Sequence, residues 1–178
     1  WEVAAVRLGL IVAGLAALTA FPLVLSTGAM LKLGAVLVVA SIGDASTGTG
    51  PVWESLQFAS MGQLRHLMDE RHRGGLPVVF FIVNNFYGMG GQTIGETMAF
   101  DHPSRIGAGV NPDNLHAQTV DGNNPLAVIA AMREAGRHIE SGSGPVLMDC
   151  QCYRLTGHSP SDASSYRTKE EVDLWAAV

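Results

Sequence analysis

Cysteine is scarce in this 178-residue sequence, with only Cys150 and Cys152 present. They stand two apart in "LMDCQCYR", where a strand would place both on one face. That spacing matches neither a redox motif nor a zinc ligand set, so both read as small apolar fillers in a reducing compartment. Positive charge is also short: 11 Lys and Arg face 16 Asp and Glu, for a formal net charge of -5. Nothing in this balance supplies the positive field that would favour nucleic acid or an anionic membrane surface as a partner. The 6 histidines are scattered, with no HExxH or other paired-ligand spacing, so a zinc site is not indicated. Disorder is excluded in turn by a hydrophobic content of 47%, and the length suits a domain with a sizeable core.

Residues 8–25, "LGLIVAGLAALTAFPLVL", are a near-continuous apolar run whose length approaches that of a bilayer span. Its Ala and Gly content and interior Pro22 fit a buried helix of an α/β domain better than a span or a targeting segment. Residues 1–34 are therefore expected to be an apolar N-terminal segment, and 35–178 the main domain.

From residue 35 the pattern is regular. "AVLVVASI" (35–42) is short, β-branched and unbroken, which predicts a strand covered on both faces. "GDASTGTGP" is a loop, and Pro51 suits a first helical turn. Leu56, Ala59, Leu64, Leu67 and Met68 then recur at helical spacing, predicting a helix of about five turns that ends before "RHRGGLP". "VVFFIV" (78–83), "HAQTVDG" (116–122) and "PVLMDCQCYR" (145–154) are further strands. Between the last two, "NNPLAVIAAMREAGRHIE" carries the apolar stripe Val128, Ile129, Met132, Ala135 and Ile139, and Gly142 and Gly144 stop that helix. A last helix starts near "EEVDLW". This order predicts an α/β fold, a parallel sheet with helices on both faces.

In such a sheet the loops after the strands gather along one edge, where ligands bind. The four strands deliver Asp44, then Asn84 and Asn85, then Asp121, then Arg154 with His158. A carboxylate and an amide oxygen suit Mg²⁺ completed by phosphate oxygens and water. Gly43, Ala45 and Ser46 are small enough for main-chain N–H groups to approach a phosphate. The pattern therefore reads as an Mg²⁺-diphosphate site, and it is neither a Walker loop nor a GxGxxG dinucleotide turn.

The segments "IGDASTGTGPVWESLQFA", "LPVVFFIVNNFYGMGG", "VDGNNPLAV" and "GPVLMDCQCYRLTGHSPSDASSYRTKEEVDLW" resemble, in order, the diphosphate-binding domain of thiamine diphosphate-dependent 2-oxo acid dehydrogenases. The likeness is to the α subunit, or α-like half, of the decarboxylating component of the pyruvate, branched-chain and acetoin dehydrogenase complexes. It implies that Asp44 and Asn85 bind Mg²⁺ through side chains and Tyr87 through its main-chain carbonyl. It also implies a cofactor-binding set of Gly43, Asp44, Ala45, Ser46, Asn85, Tyr87, Gly88, Arg154 and His158. Arg154 and His158 would lie on an active-site loop, 155–168, with His158 the catalytic residue near the substrate and the incoming lipoyl group.

The resemblance further implies decarboxylation of a 2-oxo acid and passage of the acyl group to a lipoyl-bearing acyltransferase. A β subunit or fused β-like domain would supply the glutamate that activates the cofactor, in an α2β2-type or larger assembly of a multienzyme complex. The compartment would be the cytoplasm, or the mitochondrial matrix in a eukaryote. Ser159 matches a position phosphorylated in eukaryotic relatives. Ala45 stands where the family usually has Gly, and "GQLRHLMDERHRGG" lengthens the segment between Asp44 and Asn84. A transketolase-like half, a non-catalytic assembly domain of the same fold and a membrane-tethered protein are the alternative readings. Loop 155–168, with few apolar anchors, is expected to be mobile without cofactor.

Overall fold

The structure is a computed structural model that describes residues 37–67 and 74–177. The expectations for residues 1–34, including the apolar run 8–25, and for Met68 lie outside the described residues. Among the described residues, no helix is long and apolar enough to cross a membrane.

Four strands, β1 (Val38–Gly43), β2 (Val78–Asn84), β3 (His116–Asp121) and β4 (Val146–Gln151), form one sheet in the order β1-β2-β4-β3. All neighbouring pairs are parallel. The helices are α1 (Gly50–Ala59), α2 (Leu64–Leu67), α3 (Arg105–Val110), α4 (Pro125–Glu140) and α5 (Lys169–Ala176), and a 3-10 turn (Asp44–Gly48) follows β1. The α/β class read from the sequence is the class observed.

The sheet register explains the core. Ala40, Phe80, Leu147 and Ala117 form one cross-strand row. Val52, Leu56 and Ala59 of α1 and Ile106 of α3 pack against this face. Fully burying a side chain such as Leu56 or Ile82 stabilises the fold by roughly 1.5–3 kcal/mol. Val79, Val146, Met148 and Cys150 alternate to the other face and are buried. The return from β3 to β4 reverses the direction of travel across the sheet, so a right-handed crossover carries α4 to this second face. There Met132 and Ala135 of its predicted stripe are buried, while Val128, Ile129 and Ile139 are half-buried.

Three local readings need correction. β1 is half-buried with Ser41 and Gly43 exposed, and among the described residues it pairs only with β2 and forms an edge of the sheet. The predicted five-turn helix instead ends at Ala59. The Ser60 carbonyl, which would accept the N–H of Leu64 in a continuing helix, accepts the side-chain amides of Asn111 and Asn114 at 2.8 Å each. The Ser60 hydroxyl bonds back to the Leu56 carbonyl at 2.8 Å, and Gly62 weakens continuation further. Leu67, placed on the apolar stripe by its spacing, is 71% exposed. Finally, α3 forms where the sequence showed only loop.

The helix ends follow their sequence signals. Asn124 caps α4 by accepting the N–H groups of Leu126 (3.1 Å) and Ala127 (3.3 Å), and Pro125 occupies the first turn. Thr168 caps α5 through the N–H of Glu171 at 3.1 Å.

Candidate functional site

The strand ends are aligned, Gly43 with Val83 and Cys150, and Asn84 with Gln151 and Asp121, so four loops leave the sheet at one edge. Asp44, the first residue beyond β1, is only 2% exposed. Its carboxylate accepts the Thr93 hydroxyl at 3.1 Å, and the main chain of Ala45 and Phe86 helps to stabilise its charge. Burial pushes its pKa up from the usual carboxylate value, and these neutral donors only partly oppose that. Gly43 and Ser46 are exposed and Ala45 is half-buried. Among the described residues a Cβ on Gly43 would meet only Ser46 Oγ, at 3.9 Å, so none of them packs into the space beside this main chain.

The two asparagines ending β2 have different tasks. Asn84 turns into the sheet and donates through Nδ2 to Asp149 Oδ1 at 3.0 Å. Asn85 folds over its own turn, its Oδ1 accepting the Tyr87 N–H at 3.2 Å. Phe86 takes a left-handed φ of 66°, unfavourable for a bulky residue. The turn is closed by Thr93 N–H donating to Phe86 O at 2.9 Å and Gly88 N–H donating to Gly91 O at 2.8 Å. Gly88 presses on the first loop, since a Cβ there would lie 3.3 Å from the Ala45 Cβ. Segments 43–46 and 85–88 are thus in contact, as the sequence-derived set requires. Asp121 is different: it is exposed and accepts the Asn123 N–H at 3.0 Å within its own turn.

Arg154 bridges the second and fourth loops. It donates to the Tyr87 carbonyl (3.3 Å), the Gly88 carbonyl (3.0 Å) and the Tyr166 hydroxyl (2.5 Å). His158 is exposed, with Nδ1 3.3 Å from Arg154 Nη1. Loop 155–168 does lack apolar anchors, yet polar groups hold it throughout. Asp162 accepts the N–H groups of His158 (2.7 Å) and Ser164 (2.8 Å) and the Tyr166 hydroxyl (2.6 Å), which hold its carboxyl down to about 2. Arg167, 9% exposed, donates to the carbonyls of Arg154 and Thr156 and to Ser164 Oγ. Its guanidinium lies 5.4–5.6 Å from the ring centroids of Tyr87, Tyr153 and Tyr166. Ser159 is half-buried, its hydroxyl 3.1 Å from that of Ser161.

Among the described residues no three His, Cys, Asp or Glu side chains group to hold a metal. The donor set at this edge is of another kind: one carboxylate, one amide oxygen and one carbonyl, the hard oxygen ligands that suit Mg²⁺. The hydrogen bonds at Asn85 Oδ1 and the Tyr87 carbonyl each leave a second lone pair. No ion pair involves Asp44 among the described residues, so no side-chain cation there balances its buried carboxylate.

Sequence reasoning missed several contributors. Thr93, 0% exposed, reaches Asp44 from 49 residues away and has no local signal. Asp149, also fully buried, faces Asn84, Thr119 (3.3 Å) and His102 (3.7 Å), and His102 Nδ1 lies 2.6 Å from the Gln151 side-chain amide. Tyr153, Tyr166, Arg167 and Glu171 hold the fourth loop; the two Tyr-Arg pairs of "YRLTGHSPSDASSYR" were the signal that could have marked three of them. Cys150 and Cys152 are free thiols, Cys150 pushed up to about 11 by burial, as inert fillers would be.

Comparisons with known proteins converge on one family. The model of the family described as "Dehydrogenase E1 component" matches residues 11–178. The chain is 34% identical over 134 residues, 75% of its length, to a pyruvate dehydrogenase E1 component subunit alpha of Rhizobium meliloti, covering 34% of that protein. It is 34% identical over 145 residues, 80% of its length, to a 3-methyl-2-oxobutanoate dehydrogenase subunit alpha of Mycobacterium tuberculosis, covering 35% of that protein. It is 32% identical over 158 residues, 82% of its length, to a human somatic, mitochondrial pyruvate dehydrogenase E1 component subunit alpha, covering 36% of it. The chain therefore spans about a third of the length of the curated relatives it matches.

Proposed function

Because the chain belongs to the dehydrogenase E1 component family, we propose that it is the α-like, diphosphate-binding part of a thiamine diphosphate-dependent 2-oxo acid dehydrogenase. The reaction is decarboxylation of a 2-oxo acid with transfer of the acyl group to a lipoyl carrier. A β subunit or β-like domain completes the active site, and a lipoyl-bearing acyltransferase receives the product. The observation that carries this reading is the buried Asp44 carboxylate, surrounded by neutral donors and set against the Asn85–Gly88 turn.

In this reading Asp44, Asn85 and the Tyr87 carbonyl hold Mg²⁺. The main chain of Gly43, Ala45 and Ser46, with Gly88, approaches the diphosphate. When bound, thiamine diphosphate supplies the nucleophilic carbon and the electron sink for decarboxylation. Arg154 keeps the fourth loop closed over the cation turn, and the exposed His158 imidazole is free to exchange a proton with substrate or the lipoyl thiol. Relatives named for pyruvate and for 3-methyl-2-oxobutanoate share equal identity with the chain, 34% each. Both acids belong in the first substrate panel.

The test is calorimetric titration of thiamine diphosphate and Mg²⁺ into the full chain co-purified with its partner subunit, wild type against Asp44→Ala. The wild type takes up both, and the variant loses cation-dependent uptake by more than roughly 100-fold, beyond the usual cost of disturbing an outer-shell group. Equal uptake by the two proteins would remove Asp44 from the site. A folded wild-type assembly that takes up no cofactor would make the motifs structural only.

A further inference from the structure

Tyr87 is the most heavily restrained residue of the second loop, and the restraint comes from far along the chain. Its hydroxyl donates to Glu171 Oε1 at 2.6 Å across 84 residues of sequence, and the Tyr153 hydroxyl donates to the same oxygen at 3.0 Å. Its ring lies edge-on to Tyr153 (6.3 Å) and tilted against Tyr166 (5.6 Å), with the Arg167 guanidinium 5.4 Å from its centroid. Tyr153 in turn stacks on Trp175 of α5 at 5.0 Å, within 6° of parallel.

The location of Glu171 makes the contact unexpected. Thr168 and Glu171 have the spacing of a capping box, in which the glutamate side chain would return to the main chain of the capping residue. Only the Thr168 half of that exchange forms, through the Glu171 N–H at 3.1 Å. Oε1 is taken by the two tyrosines instead. The turn it restrains is strained, with Phe86 at φ 66°, and a strained turn persists only where its surroundings over-determine it.

We propose that Glu171 is a positioning residue for the cation site: by holding Tyr87 and Tyr153 on one carboxylate oxygen, it fixes the turn that presents the Tyr87 carbonyl and joins α5 to that turn. This rests on the reading of Asp44, Asn85 and the Tyr87 carbonyl as the Mg²⁺ set. The carboxylate acts through Tyr87 and need touch neither metal nor cofactor.

The experiment uses the full chain with its partner subunit and the variants Glu171→Ala, Glu171→Gln, Tyr87→Phe and the Tyr87→Phe/Glu171→Ala double variant. Two quantities are read: the Mg²⁺ midpoint for thiamine diphosphate uptake, and amide exchange at Gly88 and Thr93 in cofactor-free protein. Tyr87→Phe and Glu171→Ala each weaken the Mg²⁺ midpoint by about tenfold, the scale of a hydrogen bond to a charged group. The double variant is no worse than the weaker single, because the two residues act as one unit. Glu171→Gln, whose amide oxygen still accepts, recovers most of the loss. Exchange at Gly88 and Thr93 rises in parallel without cofactor.

An unchanged Mg²⁺ midpoint in both single variants, while the wild type binds normally, overturns the positioning role and leaves the functional reading intact. Additive losses in the double variant overturn it as well. A wild type that takes up no cofactor, with exchange still responding to Glu171→Ala, removes the functional reading, and the positioning role falls with it.

Discussion

Replacing Arg167 with alanine should open loop 155–168 without unfolding the domain. The side chain donates to three acceptors spread over 11 residues: the Arg154 carbonyl, the Thr156 carbonyl and Ser164 Oγ. It is also attracted to three tyrosine rings. A hydrogen bond from a charged donor is worth about 1.5–3 kcal/mol, and a guanidinium near an aromatic face adds about 0.5–2 kcal/mol. These terms do not simply add, because water reaches the freed acceptors of this partly exposed loop. About 3 kcal/mol should survive, which is roughly a hundredfold in the closing equilibrium. Arg167→Lys separates charge from shape: the ammonium keeps the ring attraction, but one nitrogen cannot span the acceptors that the planar fork reaches. It should lose about half the free energy, roughly tenfold in closure.

Amide exchange at His158 and Ser164 reports this opening directly, since both N–H groups donate to Asp162 inside the loop. Exchange at Ile82 and Leu147, buried in the sheet, serves as the reference. Protection at His158 and Ser164 that is the same in Arg167→Ala as in wild type would refute the reasoning. So would a lysine variant indistinguishable from wild type, which would show that charge alone holds the loop.

Two further predictions concern the scaffold. Gly107→Ala in α3 would put a Cβ 2.4 Å from that of Ala117 and 3.3 Å from the Leu115 carbonyl, so overpacking should cost about 1–3 kcal/mol against a helix-propensity gain of about 1 kcal/mol. Urea unfolding should show a lower midpoint at unchanged slope, and a higher midpoint would show that α3 and β3 do not approach this closely. The His138 ring lies 4.8 Å from that of His116, tilted by 32°, and burial, then the charges of His116 and Arg65, hold its pKa below 6.5 against the opposing Ser143 main chain and Glu134. The folded state favours neutral imidazole, so this contribution is complete above about pH 6.5 and is lost as pH falls toward the lowered value. Urea midpoints between pH 8 and 5 should therefore fall less in His138→Gln than in wild type, and identical slopes would show that this group does not contribute.

What was legible in the sequence was local. β2 announces itself because a strand covered on both faces reads as an unbroken apolar run, β4 opens with the apolar Val146, Leu147 and Met148, and the Pro125–Glu140 helix carries both its cap and its stripe. Asp44, Asn85 and Arg154 stand out because loops directly after parallel strands gather at one edge of the sheet, whereas Tyr87 and Gly88 were marked only by the family resemblance. The errors were non-local. The helix after Pro51 ends where it does because Asn111 and Asn114, about fifty residues on, take the Ser60 carbonyl. α3 has two glycines in six residues and forms because it packs on β3, a cause that no window around it contains. Thr93 and Glu171 were invisible for the same reason: each acts through a partner brought near by the fold.

The sheet also separates stability from function along its own strands. On the face covered by α1 and α3, the row Ala40, Phe80, Leu147, Ala117 is wholly apolar. Two residues toward the C-terminal edge the row becomes Ile42, Ile82, Asp149, Thr119, and after that Asn84, Gln151, Asp121. A buried carboxylate in the middle row costs desolvation, and it is tolerated because Asn84 and Thr119 donate to it and His102 stands beside it. That polar row is the floor from which the Asn85–Gly88 turn rises. Truncations in the apolar row should therefore lower stability with little effect on the remaining sites, whereas changes at Asn84 or Asp149 should shift the loops above them. The gradient follows from parallel topology itself: with all strands running one way, only one end of the sheet gathers the loops that bind, and the rest is left to hold it together.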